Sequence, residues 1–257
     1  MKSRVYLTVV LLACAALTSA SCTKLRARDQ LNKGVHAYRS AQFKQAIGFF
    51  RTAIELDPTL LNAKLYLATA FASQYIPGGK SDENIEIAVT AIKEFGEVLK
   101  DDPQNVSSLF GIASIYYNME KFEEAKEFQR KVIRVEPNNP EPYYWIGVID
   151  WAIAYPDNQS LRNDLRLLDA AKPLPPRERQ ELAEKNSGIV KEGIESLEKA
   201  IDLRPNYSDA MAYLNLLYRQ RADLQEETAA REEDIKLADS WMQKSLELKR
   251  AALQQEG

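Results

Sequence analysis

The sequence has few of the residues that metal sites and nucleophilic active sites require. Among its 257 residues there is one histidine, His36, and there are two cysteines, Cys14 and Cys22, both near the N-terminus. Zinc sites of the Cys/His kind and Ser–His or Cys–His nucleophile pairs need several such side chains close together. We therefore expect no enzymatic activity, no catalytic residue, no metal site and no cofactor.

The sequence also has no excess of positive charge. It contains 34 Lys and Arg against 37 Asp and Glu, which gives a formal net charge of -3. Proteins that hold a phosphate backbone carry a basic patch or stripe, so nucleic acid is not an expected partner. Long apolar runs are absent beyond the N-terminus, and this excludes a multi-span membrane protein.

Residues 1–21 have the three-part layout of an export signal. Lys2 and Arg4 precede a mostly apolar stretch over residues 5–17, and small residues over 18–21 lead to Cys22. The apolar stretch has the length of a signal peptide and is shorter than the roughly 20 residues that span a bilayer. Small residues that end at a single cysteine resemble the lipobox of bacterial lipoproteins. This resemblance implies that Cys22 becomes the acylated first residue of the mature chain.

Two other processing patterns remain open. Residues 11–14, which end at Cys14, also resemble a lipobox, although a very short apolar stretch would precede them. Conventional cleavage after Ala20 or Ser21 would instead leave a soluble periplasmic protein. We expect an exported protein that faces the periplasm and contacts the membrane only through an N-terminal lipid on Cys22, with residues 22–26 as a short tether.

Four prolines that follow a charged residue, Pro58, Pro103, Pro137 and Pro205, recur at related intervals along the rest of the chain. They are separated by 45, 34 and 68 residues, so the second interval is 34, the third is twice that, and the first is 11 longer. Each proline follows a segment with apolar residues at helical spacing, and proline cannot continue a helix. The pattern predicts a helix-turn-helix unit before each of Pro58, Pro103, Pro137 and Pro205.

These units resemble the tetratricopeptide repeat, a 34-residue helix-turn-helix motif with conserved small, aromatic and proline positions. The first repeat carries Gly34, Ala46, Phe50, Ala53 and Pro58 at matching spacing. The resemblance covers nearly all of the mature chain. It implies an all-α solenoid, a tetratricopeptide superhelix over residues 27–257 with about five helix pairs, at 27–58, 61–103, 106–137, 140–205 and 208–252.

Three of the predicted pairs are longer than the motif. The second contains a Pro-Gly-Gly turn within residues 75–81, the fourth inserts about one repeat length over residues 152–185, and the fifth resumes 11 residues late. From Arg177 onward the fourth pair has the pattern of a long helix. Surface insertions are freely tolerated, but loops on a rigid scaffold also carry binding residues, so both interpretations stay open.

Several positions have predicted packing roles. Gly34 and Gly147 are expected to let paired helices approach closely, while Phe50 fills the space between pairs. Asp150 occupies a position that normally holds a packing aromatic residue, so we expect it to cap a helix or pair with a base in the long insertion, or else to line a pocket. The last helix, at about 232–253, is predicted to cap the array with a polar face that contains Lys236, Asp239, Gln243, Lys244, Glu247 and Arg250.

The first helix of each pair lines the concave face in proteins with this repeat. On this basis the resemblance implies a partner-binding face, whose candidate contact residues are Tyr38, Arg39, Asn62, Phe110, Tyr117, Asn118, Tyr144 and Trp151. The same face includes Arg28, Leu31, Val35, Leu65, Thr69, Ser73, Ser114 and Val148. Aromatic and amide side chains suit an extended or helical peptide. The alternative is that some of the aromatic residues pack against the inserted segments.

The sequence therefore predicts a non-enzymatic scaffold or adaptor of the bacterial cell envelope. Its partner would be a protein or peptide segment that binds in a preformed concave groove, which reduces the ordering cost of binding. The alternative function is a glycan- or nutrient-binding envelope lipoprotein, in which Tyr117, Tyr144 and Trp151 would stack on sugar rings.

Overall fold

The computed structural model describes residues 22–167, 169 and 172–255. The predicted signal peptide, residues 1–21, lies outside these residues. All regular secondary structure within the described residues is helical. The helices are α1 (22–39), α2 (Phe43–Leu56), α3 (Leu61–Ala72), α4 (Asp82–Asp101), α5 (Val106–Asn118), α6 (Phe122–Val135), α7 (Pro140–Asp164), α8 (Pro176–Leu203), α9 (Ser208–Leu224) and α10 (Thr228–Gln255).

The predicted fold class, an all-α solenoid of helix-turn-helix repeats, is confirmed. Within the two units, α1 pairs with α2, α3 with α4, α7 with α8 and α9 with α10, and the extra length lies in the second, fourth and fifth predicted pairs. The helices belong to two compact units. An N-terminal unit ends at Met119 and contains α1 to α5, and a C-terminal unit begins at Glu120 and contains α6 to α10.

The prolines end helices as predicted. Helices α2, α4, α6 and α8 each stop two residues before the proline, at Leu56, Asp101, Val135 and Leu203. The residue directly before each proline has left the helical conformation; for example, Asp57 has φ -143° and ψ 91°. The proline ring clashes with a helical conformation at the preceding residue, which explains the common offset.

Glycines allow close packing inside each unit. A Cβ on Gly34 would lie 2.4 Å from the ring of Phe50, which is fully buried, and a Cβ on Gly147 would lie 2.3 Å from the side chain of Leu197. The missing side chains are therefore what lets these helices approach their neighbours, as the sequence predicted.

The N-terminal segment of the described chain differs from the prediction. Residues 22–26 were expected to form a tether, but they are helical and continue directly into the rest of α1. Lys24, Leu25 and Arg26 are good helix formers, and Ala27 is completely buried, so the helix extends past its packed part toward Cys22.

The long insertion of the fourth pair is mostly helical. It lengthens α7 to 25 residues and α8 to 28 residues, and Pro156 lies inside α7 without ending it. Tertiary contacts hold α7 on both sides of the proline. Asn186 of α8 donates to the carbonyl oxygen of Ala154 at 3.3 Å, and Asn158 donates to Asp223 of α9 at 3.1 Å.

The last helix has the predicted polar face. All six of the polar residues expected on the outer side of α10 are exposed. No helix within the described residues is both long enough and apolar enough to cross a membrane.

Candidate functional site

The N-terminal unit contains a cavity of about 550 Å³ between α3, α5 and the connection after α3. Most of its lining comes from α3 and α5, the first helices of pairs two and three, which are helices predicted to line the binding face, and Phe95 of α4 contributes as well. We call it the α3–α5 cavity. Its lining consists of Leu65, Tyr66, Thr69, Ala72, Ser73, Tyr75, Pro77, Phe95, Ser107, Gly111, Ser114, Ile115 and Asn118.

The lining of this cavity contains no residue that carries a charge at neutral pH. Aromatic and aliphatic side chains make up most of the surface, and hydroxyl groups and one side-chain amide supply its polar atoms. The side chains of Ser107, Ser114 and Asn118 make no hydrogen bond within the described part of the chain. They are therefore available to pair with the backbone of a bound segment.

One wall of the cavity is the connection between α3 and α4, and it is held rigidly. The Tyr75 hydroxyl donates to the backbone carbonyl oxygen of Asn118 at 3.2 Å, which fixes the connection to the end of α5. The buried side chain of Asn84 makes three hydrogen bonds to this connection. It accepts from the Ile76 amide at 2.8 Å and donates to the carbonyl oxygens of Ile76 at 2.8 Å and Gly79 at 2.9 Å.

Asn84 was missed by the sequence analysis, although a Pro-Gly-Gly turn followed by an Asn near a helix start contained the signal. A side chain that binds both an amide and two carbonyls of a nearby loop imitates backbone pairing. The insertion in the second pair is thus an ordered wall of the cavity. Ser81, the N-cap of α4, supports this wall because its side-chain hydroxyl accepts a hydrogen bond from the backbone amide of Asn84 at 3.2 Å.

We predict that Asn84→Ala loosens this wall. The substitution removes the partners of three backbone groups, and we expect a loss of about 1–2 kcal/mol in the free energy of unfolding of the N-terminal unit. Hydrogen exchange of the Ile76 and Gly79 amides should become faster, while exchange in the C-terminal unit stays the same. Asn84→Asp keeps the side-chain size but replaces the donor by an acceptor, so it should destabilise the N-terminal unit at least as much as Asn84→Ala. Equal protection of the Ile76 and Gly79 amides in the wild type and both variants would contradict the proposed role of Asn84.

The structure places the predicted contact residues of the N-terminal unit in different settings. Asn118 lines the α3–α5 cavity, and the Tyr38 hydroxyl is 2.9 Å from the hydroxyl of Ser73, which also lines it. The other predicted contact residues do not line the cavity: Arg39 and Asn62 are exposed, and Phe110 and Tyr117 are partly buried.

In the C-terminal unit, Tyr144 and Trp151 belong to an aromatic cluster. Tyr144 packs on Tyr207 with ring centroids 5.0 Å apart, and Trp151 stacks on Tyr155 at 4.9 Å. Both rings also meet Tyr213 of α9 edge to face. Tyr155 lies in the insertion over residues 152–185, so Trp151 packs against an inserted segment, as the alternative interpretation expected. This arrangement occupies ring faces that a stacked sugar would need, so no observation favours the glycan alternative.

A buried ion network joins three helices of the C-terminal unit. Lys126 of α6 donates to Asp150 of α7 at 2.5 Å and to Glu192 of α8 at 2.8 Å, and Arg130 donates to the other oxygen of Glu192 at 2.6 Å. Lys126 and Asp150 are almost completely buried. Gly193 provides room for Asp150, since a Cβ there would lie 2.9 Å from the Asp150 Cβ.

The pairing of Asp150 with a base was predicted, but the predicted source of that base was wrong. The base comes from the helix before α7 and not from the long insertion, because the lysine side chain is long enough to reach from α6 to both α7 and α8. The second carboxylate oxygen of Asp150 is buried and has no hydrogen-bond partner within the described residues. The network is thus incompletely satisfied.

Burial and hydrogen bonding act in opposite directions on this network. Burial raises the pKa of Asp150 to about 7, because the cost of desolvating the carboxylate exceeds the stabilisation from Lys126. For Lys126, desolvation favours the neutral amine, but the hydrogen bonds to Asp150 and Glu192 outweigh it and raise the pKa. For Glu192, desolvation is likewise outweighed by Lys126 and Arg130, so its pKa is lowered.

The raised pKa of Asp150 predicts a pH dependence of stability. Between its ordinary pKa of 3.8 and about 7, the folded protein holds a proton that the unfolded chain has released. The contribution of Asp150 is therefore fully present at low pH and is lost as the pH rises toward 7, by up to about 1.4 kcal/mol per pH unit. The free energy of unfolding of the wild type minus that of Asp150→Asn, measured in urea between pH 4 and 8, should fall over this interval.

The control for this measurement is Asp202→Asn. Asp202 is exposed on α8 and makes no ion pair within the described residues. The free energy of unfolding of the wild type minus that of Asp202→Asn should not change with pH between pH 5 and 8. A flat difference for Asp150→Asn as well, or one that rises with pH, would contradict a raised pKa.

Comparisons with known proteins agree with this fold. Residues 106–139, which contain α5 and α6, match the family model of the tetratricopeptide repeat. Sperm-associated antigen 1 of Mus musculus is 26% identical over 125 residues, which are 49% of this chain and 12% of that protein. The Rattus norvegicus protein of the same name matches to the same extent, so only a small part of these relatives' length is matched.

Solved structures with a similar fold cover most of the chain. MamA 41-end from Desulfovibrio magneticus RS-1 is 17% identical, with a TM-score of 0.57, over 88% of this chain and 96% of that one. YrrB, a tetratricopeptide protein with an unusual peptide-binding site, is 13% identical, with a TM-score of 0.52, over 86% of this chain and 90% of that one. At these identities the likeness establishes the fold alone. The matches support a tetratricopeptide repeat protein.

Proposed function

We propose that this chain is a non-enzymatic interaction scaffold that binds an extended, uncharged peptide segment of a partner protein in the α3–α5 cavity. The observation that carries the proposal is the lining of the cavity, which combines apolar walls with unpaired polar side chains at Ser107, Ser114 and Asn118 and has no charged residue. The tetratricopeptide repeat match is consistent with protein binding, and YrrB, which has a similar fold, has a peptide-binding site.

The uncharged lining determines which segments are suitable. A carboxylate or phosphate group in the cavity would lose hydration without meeting a cation, which is costly. An extended backbone, by contrast, can pair its amide groups with the hydroxyl and amide side chains, and small apolar side chains can fill the space beside Tyr66 and Phe95. The rigid wall that Asn84 holds reduces the ordering cost of binding.

The test is a selection of short peptides from a display library by the purified protein, followed by affinity measurements on the selected sequences. Ser114 is exposed and its side chain makes no hydrogen bond within the described residues, so Ser114→Trp fills the cavity without removing a hydrogen bond there. We expect selected peptides to be uncharged over their central residues and to bind Ser114→Trp at least about tenfold more weakly than wild type. Ser240→Trp, which places the same side chain on the exposed side of α10, should leave affinity unchanged. Selection of charged cores, or equal binding to both variants, would refute the proposal.

We further propose that the chain is exported and acylated at Cys22, and so acts at the periplasmic side of a membrane. The proposal is supported by the signal-like layout of residues 1–21 and by the exposed side chain of Cys22. In bacteria producing the full chain, labelling with an alkyne fatty acid should be lost in Cys22→Ser and retained in Cys14→Ser. Labelling that depends on Cys14, or no labelling of the wild type, would contradict acylation at Cys22.

A further inference from the structure

The charge of α1 is opposite in sign to that of the whole chain. Residues 22–39 contain Lys24, Arg26, Arg28, Lys33 and Arg39 but only one acidic residue, whereas the full sequence has a net charge of -3. All five basic side chains are exposed. A local reversal of charge at one end of a chain is a sign of an anionic surface as partner.

Only part of this positive charge is neutralised by acidic residues of the described chain. Lys33 forms an ion pair with Asp29 at 2.7 Å, and Lys24 and Arg28 lie close enough to Asp57 to contribute, after its hydrogen bond from Thr59, to the lowering of the Asp57 pKa. The remaining two, Arg26 and Arg39, form no ion pair within the described part of the chain. If the basic side chains of α1 were buried in ion pairs, a structural role would explain the positive charge of this helix. They are instead exposed to solvent.

An apolar side chain lies within the same exposed segment. Leu25 is 70% exposed between Lys24 and Arg26 in the first turns of α1. A leucine flanked by cations is the arrangement by which an interfacial helix combines insertion below the headgroups with attraction to anionic lipid. The segment also follows directly the apolar stretch at residues 5–17 and Cys22, so either a retained apolar segment or a lipid on Cys22 would bring it to a membrane.

We propose that the basic face of α1, formed by Lys24, Leu25, Arg26 and Arg28, docks on the surface of an anionic phospholipid bilayer. A basic patch adds an electrostatic attraction to anionic lipid that is separate from the contribution of any apolar anchor beside it. Each cation near an anionic surface strengthens attachment severalfold. The docked face also fixes the orientation of the N-terminal unit on the membrane. Failure of this proposal would leave the peptide-binding proposal for the α3–α5 cavity unaffected.

The test uses the full chain and two kinds of vesicle, one of phosphatidylcholine and one of phosphatidylcholine with phosphatidylglycerol. The apolar segment at residues 5–17, with Lys2 and Arg4 before it, is the same in every variant, so the change in the ratio of the two partition coefficients between variants reports the basic face of α1. We expect this ratio to fall roughly a hundredfold in Lys24→Gln/Arg26→Gln/Arg28→Gln. It should also fall in the wild type when salt is raised. The control Lys199→Gln/Lys236→Gln/Arg250→Gln removes the same charge from exposed, unpaired positions of the C-terminal unit and should leave the ratio unchanged.

Two further variants separate the docking role from a folding defect. Arg26→Gln/Arg39→Gln removes two charges that make no ion pair within the described residues, so its circular dichroism spectrum should be unchanged. The ratio of partition coefficients should still fall, because Arg26 belongs to the docking face. Leu25→Ser should weaken binding to anionic vesicles several fold. A wild-type ratio near one, or an equal fall in the C-terminal control, would overturn the proposal. So would an RNA oligonucleotide that binds the basic face as tightly as the vesicles and displaces the protein from them, because the face would then be a general polyanion site.

Discussion

Lys126→Met is expected to lower the free energy of unfolding of the C-terminal unit by about 3–5 kcal/mol. The substitution keeps much of the side-chain volume but leaves the fully buried Asp150 without its cation, and removal of one partner of a buried ion pair typically costs this much. The three tryptophans, Trp145, Trp151 and Trp241, all lie in the C-terminal unit. Their fluorescence in urea at pH 8, where Asp150 of the wild type is mostly ionised, is the measurement.

The matched control removes both buried charges. In Lys126→Met/Asp150→Leu the buried carboxylate is removed together with the lysine, so no buried carboxylate is left without a cation, and Glu192 keeps its ion pair with Arg130. Replacement of a buried pair by apolar residues is often neutral, so the double variant should recover most of the loss. If the double variant is as unstable as Lys126→Met, the effect comes from packing and not from the unpaired charge.

Phe50→Ala is expected to destabilise the N-terminal unit by a similar amount, about 3–5 kcal/mol. The ring is completely buried in the core of this unit, stacks on Tyr66 at 5.6 Å and fills the space left by Gly34. Deletion of a buried aromatic ring removes apolar burial and leaves a cavity. Hydrogen exchange of α1 to α3 is the readout, since the N-terminal unit contains no tryptophan.

A double-mutant cycle of Gly34→Ala and Phe50→Ala tests whether the two residues are in close contact. Gly34→Ala alone places a Cβ 2.4 Å from the Phe50 ring and should destabilise, but the Phe50→Ala background removes the ring atoms that are nearest to the new methyl group. The two losses should therefore not add. Gly48→Ala on α2 is the control, because its Cβ contacts nothing and alanine favours the helix; it should stabilise by about 0.5–1 kcal/mol. Additive losses for Gly34→Ala and Phe50→Ala would show that the close approach is unimportant.

Local sequence signals predicted most of the fold. A proline disfavours the helical conformation of the residue before it, so Pro58 and Pro137 predict where helices end. Gly34 and Phe50 were also predictable, because the repeat places a small and a large residue at fixed spacing. Pro156 is the exception. Asn186 donates a hydrogen bond to the carbonyl oxygen of Ala154, and Asn158 donates one to Asp223, and these two bonds hold α7 in helical conformation on both sides of the proline.

The candidate site was less predictable because its features depend on contacts between distant residues. The repeat pattern indicated that α3 and α5 share a face, but it could not indicate that Asn84 clamps the Pro-Gly-Gly connection into a wall. It also assigned Trp151 to a binding face, whereas the ring packs on Tyr155 and Tyr213. Likewise, the partner of Asp150 lies 24 residues earlier on another helix, and no local pattern identifies it.

The central claim, that an uncharged peptide segment binds in the α3–α5 cavity, is tested most directly by photo-crosslinking. A selected peptide that carries a photoreactive side chain at its central residue would be bound to the wild-type protein, irradiated and mapped by mass spectrometry. The account predicts crosslinks to α3, α5 and the connection that contains Tyr75 and Pro77, and their loss in Ser114→Trp. Crosslinks that map to the C-terminal unit or to the exposed side of α4, and that persist in Ser114→Trp, would contradict it.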